Sequence, residues 1–389
     1  MMKALHFGAG NIGKGFIGNL LRKTGYEVCF VDVNQEMIDR INRRNSYSVE
    51  LLDENHTVET IFSVSALNSI IQEKRVIEAI VSADIITTSV GVANLSKISK
   101  VLAKGLLERI AQNEKKIDVI ANENAINASS TLKKEVEKIV SSKELAQINS
   151  LVGFPNSAID RLALSKKGTE GDIALVEPFF EWVINKSEMV NFDLPLISGA
   201  TYVEDLRPYI ERKLYIVNMG HATTAYLAFL LGEPTIQKAL RNQNVERIVR
   251  SAMVEASQYI IRTYRSDSEK MTEFIEKTLK RFKNSNISDD ILRVGRSPIR
   301  KLSYEERLVK PARELFKLGL PVENLAASIA AGYLFDSPED EESITLQGYI
   351  RSNGIDKAIS HFSSIENVKL KVMIKKYYDK MKNGHIVNC

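Results

Sequence analysis

A strand-like run that ends in closely spaced glycines opens the chain. Residues 3–8 read KALHFG, and Gly8, Gly10 and Gly13 form the pattern G-x-G-x-x-G before a stretch with helical spacing. A strand that turns through such a loop into a helix begins an α/β fold with a parallel sheet. Further strand-like runs, each before a helical stretch, are VCFVDVN (28–34), ADIITTSVG (83–91) and IDVIANEN (117–124). The alternation predicts a Rossmann-type parallel sheet.

Two changes of pattern divide the rest of the chain. Residues 47–66 alternate and are rich in β-branched side chains, which predicts a small antiparallel insertion. From about Tyr209 strand-like runs almost vanish, and long helical periodicities continue to residue 380. The expected fold class is α/β: an N-terminal Rossmann-type parallel sheet domain with a β insertion, followed by a mostly α-helical C-terminal domain. We place the domains at residues 1–200 and 201–389.

Composition excludes several classes of protein. The formal net charge is only +4 and the basic residues are scattered, so we expect no nucleic-acid partner. The two cysteines, Cys29 and Cys389, imply no disulfide framework and favour a reducing compartment. No signal-peptide core is apparent, and we expect no apolar run to reach the length needed to span a bilayer. The sequence therefore predicts a cytoplasmic protein without a membrane partner, either a monomer or a homodimer.

The glycine pattern predicts a dinucleotide site. Gly8 permits a tight turn, Gly10 lets the backbone approach a pyrophosphate, and Gly13 allows close packing of helix on strand. Asp32 ends the second strand, where an acid binds the adenosine ribose and repels a 2′-phosphate, so NAD is expected rather than NADP. The alternative is a glycine-rich turn without a ligand. The residues predicted to bind the cofactor here are Phe7, Gly8, Ala9, Gly10, Asn11, Ile12, Gly13 and Asp32.

Polar residues end two later strands of the predicted sheet. Ligands of such sheets lie beyond the carboxyl ends of the strands. Thr87, Thr88, Asn122 and Glu123 are therefore candidates for contacts with the ribose and the nicotinamide. The alternative is that they cap helices or form Asx turns, as these residue types often do.

One apolar helical stretch, residues 211–232, carries three polar side chains. Lys213, Asn218 and His221 fit within an arc of roughly 140° at about 100° per residue. Each alone has an ordinary explanation, since lysine reaches solvent and buried amides and imidazoles bind nearby backbone. Together they match the oxidation of an alcohol, which needs a base for the hydroxyl proton and donors for the developing oxyanion. A desolvated lysine supplies the base, and Asn218 and Asn156 are candidate donors.

The histidines and the arginines bear on whether the chain binds a metal ion or a phosphate. No two of the five histidines lie at ligand spacing, so no metal site is expected. A phosphorylated substrate would need cations, and arginine forms bidentate contacts with phosphate. The candidates are Arg212, Arg296 and Arg300; the alternative is a surface cluster paired with acids such as Glu305 and Glu306.

The motif K-x4-N-x2-H, formed by Lys213, Asn218 and His221, resembles that of the polyol-specific long-chain dehydrogenases. The runs ALHFGAGNIGKGFIG, ADIITTSVG, VEPFFEWV, YIERKL, RVGRSPIRKL and RLVKP extend the similarity over nearly the whole chain. Departures include ANEN, where ACEN is usual, and NMGHA in place of NTGHA. The resemblance implies NAD-dependent, metal-free interconversion of mannitol 1-phosphate and fructose 6-phosphate. It also implies a lysine general acid/base and an oxyanion hole of asparagines.

Two other functions stay open at this stage. The chain could act on another polyol or polyol phosphate, which activity without the phosphate would reveal. A different class is a non-catalytic NAD-binding sensor, which needs the glycine loop and Asp32 but not Lys213. Such a sensor would bind NADH and turn over no sugar phosphate.

Overall fold

The computed structural model describes residues 2–168 and 171–385. Contacts divide the chain into a first unit, Met1–Arg207, and a second unit, Pro208–Cys389. The strands of the first unit are β1 Met2–Phe7, β2 Tyr26–Asp32, β3 Ser46–Leu51, β4 Val58–Phe62, β5 Val64–Asn68, β6 Ile85–Thr88, β7 Ile117–Ala121, β8 Val152–Gly153, β9 Ser157–Asp160, β10 Ala163–Gly168, β11 Gly171–Val176, β12 Glu181–Asn185 and β13 Ala200–Val203. Its α-helices are α1 Asn19–Thr24, α2 Gln35–Arg44, α3 Glu73–Ser82, α4 Leu95–Gln112, α5 Ala128–Glu137 and α6 Ser142–Leu151.

The parallel sheet has the strand order β5-β2-β1-β6-β7-β8, and every pairing in it is parallel. The chain therefore reverses its direction of winding between β1 and β6, the switch point at which such sheets bind ligands. Successive β1 side chains point to opposite faces of the sheet. Both faces are therefore apolar, and helices cover each of them. Ala4 packs into one apolar cluster and Leu5 into the other. The predicted fold class is confirmed.

The first unit also contains two smaller sheets. One has the order β10-β11-β3-β4 and the other β13-β12-β9. The predicted β insertion is therefore present, but β11 joins it from a distant part of the chain. In the sequence, the strand-like runs DIALVEP and EWVINK (172–186) predict a hairpin, and this prediction is wrong. Pro178 separates β11 from β12, and these strands pair in parallel with β3 and β13 respectively. Because β13 pairs with β12, the chain through Val203 remains with the first unit.

The described part of the second unit contains helices, their connecting loops and an isolated β-bridge between Thr235 and Asp290, and it packs around one apolar core. Its helices are α7 Arg207–Arg212, α8 Met219–Leu231, α9 Ile236–Ala239, α10 Gln243–Tyr264, α11 Ser268–Phe282, α12 Ile291–Gly295, α13 Pro298–Lys301, α14 Val309–Lys317, α15 Glu323–Tyr333, α16 Glu341–Asn353, α17 Ile355–Ser363 and α18 Val368–Lys382. A π-helical segment, Lys213–Asn218, joins α7 to α8. The sequence did not predict α12 and α13, because short helices carry little periodicity.

The continuous helix Arg207–Leu231, called here the lysine helix, passes the length and composition test for a membrane span. The expectation that no apolar run is long enough was therefore wrong for this segment. Its most apolar window is 67% buried, as in the core helix of a soluble protein. Of the two cysteines, Cys29 is half-buried with a free thiol. Cys389 lies outside the described residues.

Candidate active site

The loop of residues 8–13, called here the glycine loop, needs two of its three glycines for its shape. Gly8 has φ +98°, and its N–H donates to the Val31 carbonyl at 2.8 Å. A Cβ on Gly13 would lie 2.0 Å from the Gly8 oxygen, so only glycine lets the helix approach the strand. A Cβ on Gly10 would meet nothing within 4 Å. Gly10 is exposed, so space beside it remains for a ligand.

The helix after the glycine loop contains a π-helical segment, Gly13–Gly18, near its start. Such segments leave carbonyls without their usual helical partners. Tyr47 Oη donates to the Lys14 carbonyl at 2.8 Å, and Arg161 Nη1 donates to the Gly15 carbonyl at 3.0 Å. Tyr47 lies on β3 and Arg161 follows β9, so the smaller sheets hold this helix in place.

Asp32 fastens the end of β2 to the glycine loop. Its Oδ2 accepts the Ala9 N–H at 2.7 Å, and its Oδ1 accepts the N–H groups of Val33 at 2.7 Å and Asn34 at 3.0 Å. The carboxylate stays half-buried at the switch-point edge. It is therefore both a structural acceptor and a candidate ribose ligand.

Exposed apolar side chains follow β2 and β5 at the edge of the sheet where Asp32 lies. Asp32 is paired with Asn68, so the residues that follow each strand are neighbours. Val33 is 61% exposed, Ile70 70% and Ile71 69%. Apolar surface of this kind marks a binding site when it is contiguous. Sequence reasoning missed these three residues, because exposed aliphatic side chains carry no motif.

Other residues of the predicted cofactor set contribute through the backbone or by position. Phe7 is 1% exposed and packs into the core, while its carbonyl accepts the Ser89 N–H at 2.8 Å. Ala9 is fully buried. Asn11 and Ile12 begin the helix and are half-buried.

The polar residues that end β6 and β7 point into the first unit. Glu123 Oε1 accepts from Thr88 Oγ1 at 2.8 Å and from the Val90 N–H at 3.0 Å, and its Oε2 accepts the Gly91 N–H at 2.7 Å. These bonds fix the loop that follows β6. The predicted ligand Glu123 is thus 6% exposed and committed to backbone.

Thr87 and Asn122 are also committed to internal bonds. Thr87 Oγ1 lies 2.6 Å from His6 Nδ1, and burial lowers the pKa of His6 to about 3, which keeps this ring neutral. Asn122 Oδ1 accepts from Ser157 Oγ at 2.8 Å. Both residues are buried, and these contacts are tertiary hydrogen bonds rather than helix caps or Asx turns.

Asn156, a predicted oxyanion donor, forms a buried clamp. Its Nδ2 donates to Ser130 Oγ at 2.7 Å and to Glu188 Oε2 at 3.0 Å, while its Oδ1 accepts the Ser130 N–H at 3.1 Å. The residue is 4% exposed. In this arrangement neither amide hydrogen is available to a substrate oxygen.

The lysine helix places its polar residues at a second irregularity. Lys213 begins and Asn218 ends the π-helical segment, and both are half-buried. Single π-helical turns inside helices occur frequently at functional sites. The Asn218 side chain makes no hydrogen bond within the described chain, so its amide is available to a ligand. The α-helical spacing assumed from the sequence does not hold across this segment.

His221, one turn further, is held by a residue that sequence reasoning missed. Its Nε2 lies 2.7 Å from Asp289 Oδ2, and its ring stacks on Phe282 with centroids 4.9 Å apart. Asp289 is 5% exposed, and its Oδ1 is bound by Arg293. No spacing rule links residues 221 and 289, so only the fold reveals the pair.

The three predicted phosphate ligands have different surroundings. Arg212 stacks over Phe274, 4.3 Å from the ring centroid, and Arg300 pairs with Glu306 at 3.4 Å. Arg296 is exposed on a pocket that is predominantly acidic. The acidic residues of this pocket are Asp290, Glu339, Asp340, Glu341 and Glu342. Arg296 and Arg300 therefore both have acidic neighbours, and their role in binding phosphate stays a prediction.

Among residues 2–168 and 171–385, no group of three or more His, Cys, Asp or Glu side chains is arranged to hold a metal ion. Neighbouring acids such as Asp289 and Asp290 have separate partners. Asp290 Oδ1 accepts the Arg293 N–H at 2.8 Å and caps α12.

Two family models cover almost the entire chain. Residues 2–198 match the mannitol dehydrogenase Rossmann domain, and residues 205–388 match the mannitol dehydrogenase C-terminal domain. A mannitol-1-phosphate 5-dehydrogenase of Halalkalibacterium halodurans is 44% identical over 94% of this chain and 97% of the relative. Another of that name, from Exiguobacterium sibiricum, is 42% identical over 98% of each chain.

Solved structures show the same fold at low sequence identity. A substrate-free D-sorbitol dehydrogenase has a TM-score of 0.84 and 14% identity, covering 99% of this chain and 94% of that one. The mannitol 2-dehydrogenase of Pseudomonas fluorescens, in a complex with NAD and D-mannitol, has a TM-score of 0.74 and 16% identity, covering 99% and 92%. The family models and the close relatives together show that the chain belongs to the mannitol dehydrogenase family.

Proposed function

We propose that this chain is an NAD-dependent dehydrogenase that interconverts D-mannitol 1-phosphate and D-fructose 6-phosphate. The observation that carries the proposal is full-length similarity, at 42–44% identity, to relatives bearing that activity in their names. The cofactor site and the lysine helix supply the two sets of groups that such a reaction needs. We assign cofactor binding to the first unit and substrate chemistry to the second, and we expect a cytoplasmic location.

The first unit fits NAD in three respects. The glycine loop leaves open space at Gly10, where a pyrophosphate can approach the backbone. Asp32 offers a half-buried carboxylate to the ribose hydroxyls and repels a 2′-phosphate. Val33, Ile70 and Ile71 provide an apolar surface for the adenine. When bound, the reduced cofactor supplies the hydride that the carbonyl carbon of fructose 6-phosphate accepts.

The second unit supplies the proton and the stabilisation of the oxyanion. In the reductive direction Lys213 Nζ donates a proton to the oxygen at C2 of the ketose; in the oxidative direction the neutral amine accepts it. Asn218 Nδ2 donates a hydrogen bond to the same oxygen as charge develops there. His221 orients a neighbouring substrate hydroxyl. This set of groups requires no metal ion.

The substrate's phosphate requires cationic partners. Arg212, beside Lys213, stays the candidate closest in sequence to the reacting groups. Its guanidinium lies over Phe274 and, at 5.1 Å, over Tyr209, so the aromatic rings limit its motion. A pre-oriented guanidinium loses less entropy when it binds a phosphate.

The test is NADH oxidation at pH 7 with fructose 6-phosphate, with fructose as the matched substrate control. The proposal expects rapid oxidation with the phosphorylated sugar and slow or no oxidation with fructose. EDTA should leave the rate unchanged. Equal rates with both sugars would contradict the phosphate requirement, and NADH binding without turnover of any polyol phosphate would indicate a sensor instead.

A further inference from the structure

We propose that His6 is a positioning residue for the cofactor, which holds the glycine loop and the segment after β6 in the shape that binds NADH. His6 lies on β1, two residues before Gly8, and its side chain is fully buried. The proposal rests on the cofactor part of the proposed function and does not depend on the identity of the substrate.

Both ring nitrogens of His6 form hydrogen bonds with residues at the end of β6. Nδ1 lies 2.6 Å from Thr87 Oγ1, and Nε2 lies 2.8 Å from Ser89 Oγ. Thr87 is the partner of His6 in the parallel sheet, so the ring joins β1 to β6. The sheet reverses its direction of winding between these two strands, which is where a ligand of such a sheet binds. His6 therefore links the two sides of the predicted cofactor site.

The hydrogen bonds around the Gly8 carbonyl determine which ring nitrogen carries the proton. Burial lowers the pKa of His6 to about 3, so the ring is neutral at pH 7, and a hydrogen bond with the Gly8 backbone partly offsets that shift. Ser89 Oγ donates to the Gly8 carbonyl at 3.4 Å. Its single hydrogen is then in use, so it accepts from Nε2, which carries the proton. Nδ1 in turn accepts from Thr87 Oγ1, and a chain of hydrogen bonds runs from Thr87 to Gly8.

This chain of hydrogen bonds turns the Gly8 carbonyl away from the space left for a ligand. A Cβ on Gly13 would lie 2.0 Å from the Gly8 oxygen and 2.8 Å from His6 Nε2, whereas a Cβ on Gly10 would meet nothing within 4 Å. A carbonyl oxygen is the negative end of the peptide dipole, so one that faced a pyrophosphate would repel it. With this oxygen held on the inner side, the N–H groups at the start of the helix can face the phosphates.

The glycine loop also touches the segment after β6 through its backbone. A Cβ on Gly8 would lie 2.6 Å from the Ser89 carbonyl oxygen, and the Ser89 N–H donates to the Phe7 carbonyl at 2.8 Å. Glu123 accepts the next two N–H groups of this segment. Loss of the His6 hydrogen bonds should therefore disturb both sides of the cofactor site together and lower the affinity for NADH.

Two substitutions separate the hydrogen bonds of the ring from its packing. His6→Gln places an amide N–H close to the position of Nε2 and keeps a donor to Ser89 and Gly8. His6→Phe keeps an aromatic ring and removes both hydrogen-bonding atoms. NADH affinity, from fluorescence titration, should stay within about threefold of the wild type in His6→Gln and fall about tenfold or more in His6→Phe. The opposite order would overturn the proposal, because a role in packing alone favours phenylalanine.

Stability needs its own control, since a change at a buried residue costs stability in any case. Ile117→Val is suitable, because this fully buried residue begins β7 and lies at the other end of the sheet from the glycine loop. It should lower the urea midpoint and leave NADH affinity unchanged. If His6→Phe does not fold, Ser89→Ala takes its place and should weaken NADH binding about threefold or more. An affinity equal to that of the wild type would overturn the proposal.

Ring ¹⁵N chemical shifts of histidine-labelled protein test the chain of hydrogen bonds without any ligand. The His6 signals are assigned by their loss in His6→Gln. They should show a protonated Nε2 and an unprotonated Nδ1 at pH 7, and a protonated Nδ1 would overturn the proposal.

Kinetics with fructose 6-phosphate separates this proposal from the proposed function. In His6→Phe the KM for NADH should rise, while kcat at saturating NADH should stay within about threefold of the wild type. A loss of kcat without a change in the KM for NADH would contradict a role in cofactor positioning. A wild type that binds NADH but turns over no polyol phosphate would refute the proposed substrate and leave the binding data to decide the role of His6. A wild type that does not bind NADH would refute both.

Discussion

The helix that follows the glycine loop and the lysine helix share a backbone irregularity, but its surroundings differ between the two. Both contain a π-helical segment, Gly13–Gly18 in the first and Lys213–Asn218 in the second. In the first, three of the six residues are glycines, and Tyr47 and Arg161 bind the Lys14 and Gly15 carbonyls. In the second, the ends of the segment carry the lysine and the asparagine. The first irregularity packs closely against neighbouring strands, and the second carries the candidate catalytic side chains at its ends.

The polar residues of the two units follow the same division. Around the parallel sheet, the polar side chains form hydrogen bonds with other residues of the first unit, as in Glu123, Asn122 and Asn156. On the lysine helix, the Asn218 amide has no such bond within the described residues. Substitutions in the first unit should therefore change loop shape and stability, whereas those in the second should change turnover.

The largest effect expected in the first unit separates two neighbouring glycines. Gly13→Ala places a Cβ 2.0 Å from the Gly8 oxygen and should destabilise the protein by roughly 3 kcal/mol or more. Gly10→Ala meets nothing within 4 Å and should fold normally but bind NADH weakly. Thermal unfolding and NADH titration of both variants are the measurements. Equal stability of the two would show that the loop adapts to the added methyl group.

Asp32→Ala should have the next largest effect, on the choice of cofactor. Removal of the carboxylate abolishes its repulsion of a 2′-phosphate, so the preference for NADH over NADPH should fall about tenfold or more. The Ala9 N–H also loses its acceptor, so affinity for NADH should decrease. Steady-state kinetics with both cofactors measures the ratio. An unchanged ratio would remove Asp32 from the ribose site.

Glu123→Gln should change stability while leaving chemistry almost unaffected. The amide cannot accept with both ends, so one N–H of the Val90–Gly91 segment loses a partner, at a cost of about 1–3 kcal/mol. At saturating substrate, kcat should change by less than about threefold. Exposed Glu108→Gln is the matched control for urea unfolding. A large loss of kcat with unchanged stability would make Glu123 a direct ligand.

The last prediction concerns the pH dependence of stability that the buried amine of Lys301, in the second unit, should cause. Burial, followed by the charges of Arg307, Arg300 and Arg296, lowers the pKa of Lys301 from 10.5 to about 7. Between these values the unfolded chain binds more protons, so this residue makes stability rise with pH. The slope should be at most about 1.4 kcal/mol per pH unit.

Lys301→Met should remove that rise, and urea unfolding between pH 7 and pH 10 measures it. Lys301 Nζ donates to the Arg296 carbonyl at 2.5 Å, so it belongs to the packing of the helical unit. Identical pH profiles of wild type and variant would show that the buried amine titrates normally.

The sequence predicted the parallel sheet, the helical second unit and the positions of the glycine loop because these depend on local periodicity and on glycine stereochemistry. It suggested a hairpin over 172–186 because adjacent strands usually pair, whereas β11 and β12 belong to different sheets. Pairing partners distant in sequence leave no local pattern.

The predictions for single residues succeeded or failed according to whether they depended on local sequence or on distant partners. Gly8 and Gly13 are constrained by their own backbone, so the motif reveals them. The contact of Asp289 with His221 joins segments 68 positions apart and has no spacing rule. Asn122 and Glu123 were selected by their position at strand ends, but position alone did not predict that they point inward. Side-chain direction depends on partners that only the fold supplies.

The most direct test of the division between the two units measures two quantities on Lys213→Ala. NADH affinity, by fluorescence titration, should stay within about threefold of the wild type, because the first unit binds the cofactor. Turnover of NADH with fructose 6-phosphate should fall by about 10²–10⁴-fold with loss of the general acid. Exposed Lys317→Ala serves as the control. Turnover within tenfold of the wild type, or NADH binding lost together with activity, would contradict the account.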